Sequence, residues 1–236
     1  MPTGHVTPRP AAQAAEASIV EQIYEAVIEQ RLLPGTKLPE AELCEAFGVG
    51  RMHIRRALLL LANRDVVELR ANRGAFVAQP TAKQARDVFE ARHALEPTVA
   101  ELAAQRCTRT GLALLHKHLV NESAAHNQGN RREAIRLSGQ FHIALADVAA
   151  NQVMSRLVKN LVIRSSLIIG MYGQTSGHTC RDDEHAGILQ AMRSKNAELA
   201  AHLMRAHLQH IFENLALASR VANRTDLVSL FRPTRQ

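Results

Sequence analysis

The chain of 236 residues has no tryptophan, two tyrosines and six phenylalanines. Proteins that grip single-stranded nucleic acid stack bases on aromatic rings, so this composition argues against such a platform and leaves duplex as the nucleic acid to consider. Cysteine is scarcer than the aromatic residues together, with three in the chain. Cys44, Cys107 and Cys180 are odd in number and far apart, which excludes a disulfide framework or a zinc-knuckle spacing and points to a reducing compartment. No stretch reaches the roughly 18 uncharged apolar residues of a membrane span. The opening MPTGHVTPRPAAQAAEAS lacks the apolar core of a signal peptide. A cytoplasmic protein with no membrane partner is expected.

What is present is ample for folding: 46% hydrophobic and 22% charged residues exclude disorder as the main state and allow one or two domains with cores. The net charge is +7 and there are twelve histidines. A basic excess favours polyanions, and histidine enrichment favours metals or proton chemistry. The location of the charge qualifies this. Residues 1–80 hold nine basic and nine acidic residues, so the whole excess falls in residues 81–236, as do ten of the histidines. The basic signal that matters for DNA is local, with six arginines in residues 48–78 against Asp65 and Glu68.

Residues 1–17 read as a disordered lead. From Ser18, a capping residue, Ile19, Ile23, Ala26, Val27 and Leu33 recur near a helical period until Pro34-Gly35. Leu38-Pro39-Glu40 opens a short helix, AELCEAF, which breaks at Gly48-Val49-Gly50 before a third, RMHIRRALLLLANR. A short helix, a glycine turn and a longer helix with arginines on its first turns is helix-turn-helix grammar. Val66–Arg70 and Ala75–Ala78, joined by Ala71-Asn72-Arg73-Gly74, read as a hairpin. Residues 18–79 are thus expected to form a winged helix-turn-helix. Residues 80–82 form a linker. No strand pattern recurs after it: helices are expected near 83–106, 109–127, 131–149, 151–171, 182–194 and 196–219, with a loop at Gly173–Arg181 and a basic tail over 220–236. The fold class is mainly α, a winged helix followed by an all-α six-helix bundle.

Arg51 and Arg55 share one face of the third helix and can enter a major groove together, where arginine pairs with guanine or clamps phosphate. His53 and Arg56 lie beside them, and Arg73-Gly74 at the hairpin tip is placed for the minor groove or flanking phosphates. These six are the candidate DNA contacts.

Segment 19–79 resembles the winged-helix domain of GntR-type bacterial transcription regulators. The motifs PG-x-x-L-x-E, G-V-G-R, R-A-L-x-x-L and N-R-G-x-F-V occur in order. The resemblance implies that Arg51, Arg55 and the Arg73-Gly74 tip contact operator DNA. Gly50, His53 and Arg56 depart from the residues usual in the family, serine or threonine, proline or threonine, and glutamate. Segment 87–217, with DVFEARHALEPTVAELAA, FHIALADVAANQVM and DEHAGILQAMRSKNAELAAHLMRAHL, resembles the FCD-type, VanR-like effector domain of the FadR branch. That resemblance implies a homodimer and a cavity in the bundle, often with a divalent metal and a small carboxylate effector.

His142, His185 and His207 match the family's metal positions and sit on three separate predicted helices in apolar or small-residue surroundings. Their imidazoles suit zinc or nickel. The family's fourth ligand, an aspartate one turn before the first histidine, is Ser138 here, so the expected site is three histidines completed by water or effector. The alternative is that the histidines bind an anionic effector directly. Arg92 is a costly inward charge unless it meets an anion. The resemblance gives it an effector carboxylate, and a pair with Glu96, four residues on, is its intramolecular alternative. Ser138 and Arg164 complete the effector candidates.

The expected function is a transcriptional regulator, in repressor form, that reads a pseudo-palindromic operator as a dimer under control of a small organic acid. It is not expected to be an enzyme. Two other readings compete: a metal-dependent hydrolase with its base among Asp182, Asp183 and Glu184, and a nonspecific architectural DNA binder.

Overall fold

The computed structural model describes residues 10–173 and 182–217. The start of the expected lead, nearly all of the Gly173–Arg181 loop, positions 218–219 of the last expected helix and the basic tail lie outside the described residues; that helix itself ends at Glu213, short of the expected position 219. The main boundary between two compact units falls between Ala78 and Gln79.

The first unit runs α1 (Pro10–Ile28), β1 (Lys37–Leu38), α2 (Glu40–Phe47), α3 (Arg51–Ala62), β2 (Val67–Arg70) and β3 (Gly74–Val77). Helix α1 starts eight residues before Ser18, so residues 10–17 are helical and not the disordered lead expected from the sequence. Proline at a first helical position loses no hydrogen bond, and the alanine-rich run behind it consists largely of the strongest helix former. Ile19, Ile23, Tyr24, Ala26 and Val27 are buried along this helix. Leu32 is buried and Leu33 only partly so, the reverse of the expected stripe. The cause is that the helix ends at Ile28 and Gln30, at φ 54°, rephases the chain.

Helix α3 buries Ile54, Ala57, Leu58 and Leu61, an i, i+3, i+4, i+7 face, and α2 contributes Leu43. Between them Gly48 takes φ 65° and donates its N–H to the Cys44 carbonyl, a left-handed cap that suits glycine. The hairpin of β2 and β3 pairs Val67 with Val77 and Arg70 with Gly74. Strand β1 adds a third, antiparallel strand through Lys37 with Phe76 and Leu38 with Ala75. At two residues it is too short to show alternation in sequence.

The second unit is a helical bundle: α4 (Ala82–Arg106), α5 (Arg109–Asn127), α6 (Arg131–Val148), α7 (Gln152–Tyr172), α8 (Asp182–Arg193) and α9 (Ala197–Glu213). Its breaks are written in capping residues. Thr81 forms a capping box with Gln84, while Thr108, Asn130, Asn151 and Asn196 each accept a first-turn N–H. Helix α4 packs most extensively on α9 and also touches α6, α7 and α8. Its Ala100, Ala103 and Ala104 let these neighbours approach closely. The core around them is aliphatic, with Leu115, Leu145, Val158, Val162, Ile188, Met204 and Leu208 buried and Phe141 as its one large ring. Pro97 lies inside α4, where it removes the N–H that would bond the His93 carbonyl and marks the turn just beyond Arg92 and Glu96.

Candidate functional site

In the first unit, Arg51 and Arg55 are exposed at the start of α3. Gly50 caps that helix with extended backbone and no side-chain bond, so no hydroxyl stands at the helix mouth. Glu40 accepts from Arg55 Nε with both carboxylate oxygens at 2.9 Å, and this pairing raises the guanidinium's pKa. A guanidinium held through Nε still presents its two terminal amino groups for guanine.

His53 and Arg56 are differently placed. Glu16 of α1, itself buried, lies 3.2 Å from His53 Nδ1 and 3.2 Å from Arg56 Nη1. Two of the three residues that depart from the family's usual pattern thus meet one acid of α1, although both are expected from the sequence to face DNA. At the wing tip Arg73 is exposed, with Asn72 at φ 57° and Gly74 at φ 87° shaping the three-residue loop. A side chain at Gly74 would meet no atom within 4 Å, so glycine serves the backbone conformation there and not the space.

In the second unit α6, α8 and α9 bring His142, His185 and His207 together, all buried, with one nitrogen from each inside a 4.8 Å group. His207 Nε2 lies 3.1 Å from Nε2 of both His142 and His185. The outer nitrogens meet carboxylates. His185 Nδ1 lies 3.0 Å from each oxygen of Glu122, and His207 Nδ1 is 2.8 Å from Glu184. Glu96 comes within 2.6 Å of His142 Nδ1, at ion-pair distance but off the line of a hydrogen bond. Phe141 stacks on His185 with ring centroids 4.1 Å apart, closing one side with apolar surface.

An ionised carboxylate only accepts hydrogen bonds, so it draws the imidazole proton to Nδ1 and leaves a lone pair on Nε2. Burial alone would raise the Glu96 carboxyl, but the Arg92 guanidinium and His142 overcome this and hold it down at about 2. Glu122 is likewise held low against burial by His185. Burial pushes His142 down to about 4 and His207 well below the usual histidine range, so neither carries charge at neutral pH. With the Nδ1 protons of His185 and His207 drawn outward to Glu122 and Glu184, these two rings turn Nε2 lone pairs toward each other across 3.1 Å, and His142 Nε2 stands 3.1 Å from the same His207 atom. Such a donor set repels itself unless a cation lies between, and it suits a borderline divalent ion such as zinc or nickel.

Arg92 is buried against Glu96, with Nε to Oε1 at 2.5 Å and Nη2 to Oε2 at 3.2 Å, and its Nη1 donates to Ser165 at 3.0 Å. Of its two expected partners, the intramolecular one is present. Ser138, one turn before His142 on α6, is half-buried, as is Arg164 on α7. Sequence reasoning missed Glu122, which stands 63 residues from His185 in a helix with no local signal. Glu184, a candidate base in the hydrolase reading, instead joins its carboxylate to His207 and His210, each at 2.8 Å.

Residues 15–77 match the family described as bacterial regulatory proteins, gntR family, and residues 87–210 match the FCD domain. The uncharacterized HTH-type transcriptional regulator YdhC of Bacillus subtilis is 29% identical over 197 residues, 82% of this chain and 88% of that protein. The HTH-type transcriptional repressor RspR of Escherichia coli is 26% identical, covering 83% of this chain and 88% of its own length. A solved putative transcriptional regulator GntR from Rhodococcus sp. RHA1 shares the fold at a TM-score of 0.75 and 21% identity, over 88% of this chain and all of that one. The chain belongs to the GntR family of bacterial regulatory proteins, as a winged-helix DNA-binding domain followed by an FCD domain, and is a transcriptional regulator, not an enzyme.

Proposed function

We propose that this regulator is a homodimeric repressor of the cytoplasm that reads a pseudo-palindromic operator and is released by a small organic acid bound beside a zinc or nickel ion in the helical bundle. The observation that carries the reading is the convergence of three imidazole Nε2 atoms, each ring backed by a carboxylate. His142, His185 and His207 hold the ion. Once bound, it offers a Lewis-acidic position to an anionic oxygen. Ser138 puts no carboxylate beside His142, which leaves that position to water or effector. Arg92 reaches an effector carboxylate only by exchanging Glu96 for it, and Arg164 is the second cation available on α7. The repressor sense is supported by RspR, which is named a repressor. Arg51, Arg55 and Arg73 are exposed groups offered to DNA, and Arg56, exposed as well, joins His53 in bracing α1 through Glu16. Control requires that the effector bind two arrangements of the dimer unequally.

The test is a footprint combined with thermal melts. A short protected palindrome that a small acid releases, with a melt raised by Zn²⁺ or Ni²⁺ and raised further by that acid, supports the reading. Uniform protection with a steep salt slope defeats the operator claim. A melt that no small acid shifts defeats the effector claim.

A further inference from the structure

The loss of a first carboxylate ligand at Ser138 leaves a question of charge. Neutral histidines alone give a buried dication nothing to balance it, and an unbalanced buried charge is costly. The structure places the balance one shell out. Glu96 from α4, Glu122 from α5 and Glu184 from α8 each stand at the Nδ1 of a different histidine, at 2.6, 3.0 and 2.8 Å. Arg92 neutralises one of the three through its pair with Glu96, so the histidines sit in an environment of net charge near −2, which one divalent ion cancels.

We infer that Glu96, Glu122 and Glu184 are the outer-shell carboxylates of this metal site: Glu122 and Glu184 position His185 and His207 with Nε2 unprotonated, and all three supply the charge that a ligand at position 138 does not. The inference rests on the metal reading above. Glu122 is its most telling member, because it meets one ring through both oxygens and comes from a helix that supplies none of the three histidines. Charge in the outer shell also keeps the ion's free positions clear of protein carboxylate, so that an anionic oxygen of the effector meets no acidic ligand there.

The experiment measures Zn²⁺ affinity of the full-length chain by competition with a chromogenic chelator, for wild type, H185A, E122Q, E184Q and the exposed control E101Q. Each glutamine is isosteric and keeps an acceptor for Nδ1 while removing the charge. Glu184 is partly exposed, so E184Q tests the idea even where E122Q disturbs folding, which circular dichroism of the metal-free proteins checks. E122Q and E184Q are expected to bind about 10–100-fold more weakly than wild type. E101Q stays unchanged, and the visible bands of Co²⁺ shift in E122Q. If wild type binds, H185A does not, and both glutamine variants stay within about threefold of wild type, well short of that outer-shell loss, the outer-shell role is overturned while the metal site stands. If wild type takes up no Zn²⁺, both are overturned.

Discussion

Arg92 is the residue whose role the structure changes most, and Arg92→Met measures that change. Methionine keeps much of the apolar stem and deletes a guanidinium that makes two contacts to Glu96 and one to Ser165, with both charged side chains about 2% exposed. Removing one partner of a buried pair strands the other charge and costs about 3–5 kcal/mol. For a chain of this length, 1 kcal/mol moves the melting temperature by about 2–4 °C, so R92M should melt roughly 6–20 °C lower. The assay is a thermal melt of the full-length protein in chelator, which removes any contribution of metal. The double variant R92M/E96Q takes out both charges and should recover most of the loss, because replacing a buried pair by neutral groups is often close to neutral. If R92M melts with wild type, the pair contributes nothing and the arginine is free for an effector, which would refute the reasoning.

Other perturbations probe other parts of the molecule. On α3, R51A should lower operator affinity by about 1–3 kcal/mol if the arginine reads a base, in anisotropy titrations at fixed salt. R73A at the wing should weaken binding to all sequences alike and reduce the salt slope by about one; a sequence-selective loss in R73A contradicts a phosphate role. Tyr24 tests alkaline stability. Burial raises its pKa more than the neighbouring Arg64 lowers it, so the folded state holds the proton more tightly than the unfolded chain. That contribution is complete below the unfolded pKa of about 10 and is lost as pH rises through the folded value. Tyr24→Phe should abolish this alkaline decline. It should also cost about 0.5–1.5 kcal/mol at neutral pH through the Arg64 bond to the hydroxyl; an unchanged alkaline limb contradicts the assignment.

Much of this molecule is legible in its sequence because its signals are local. The glycine turn before α3, the hairpin tip and the threonine or asparagine that opens each of five bundle helices are chemical statements within four residues. They locate elements as closely as Arg109–Asn127, where the expected and observed helices coincide. The errors are also local in origin. The helical lead is hidden because Pro2, Pro8 and Pro10 give the first ten residues the look of disorder, while the alanines behind them favour helix. Strand β1 has two residues and owes its place to pairing with β3, some forty positions later. The same distance in sequence hides the outer part of the candidate site. A histidine's place on a helix follows from periodicity, but which acid of another helix meets its far nitrogen depends on how the helices pack. The contacts of Glu122 with His185 and of Glu96 with His142 are legible only in three dimensions, as is the attachment of His53 and Arg56 to Glu16.

Whether three histidines of the FCD domain hold one divalent ion is tested most directly by the metal content of the purified protein. The full-length chain, prepared without a histidine tag or chelator, is analysed by mass spectrometry of its elements beside H185A. About one zinc or nickel ion per chain is expected in the wild type, in line with three imidazole ligands and an open position, and its loss is expected in H185A. Wild-type protein that carries no such ion and takes none up on dialysis against Zn²⁺ or Ni²⁺ contradicts the three-histidine site.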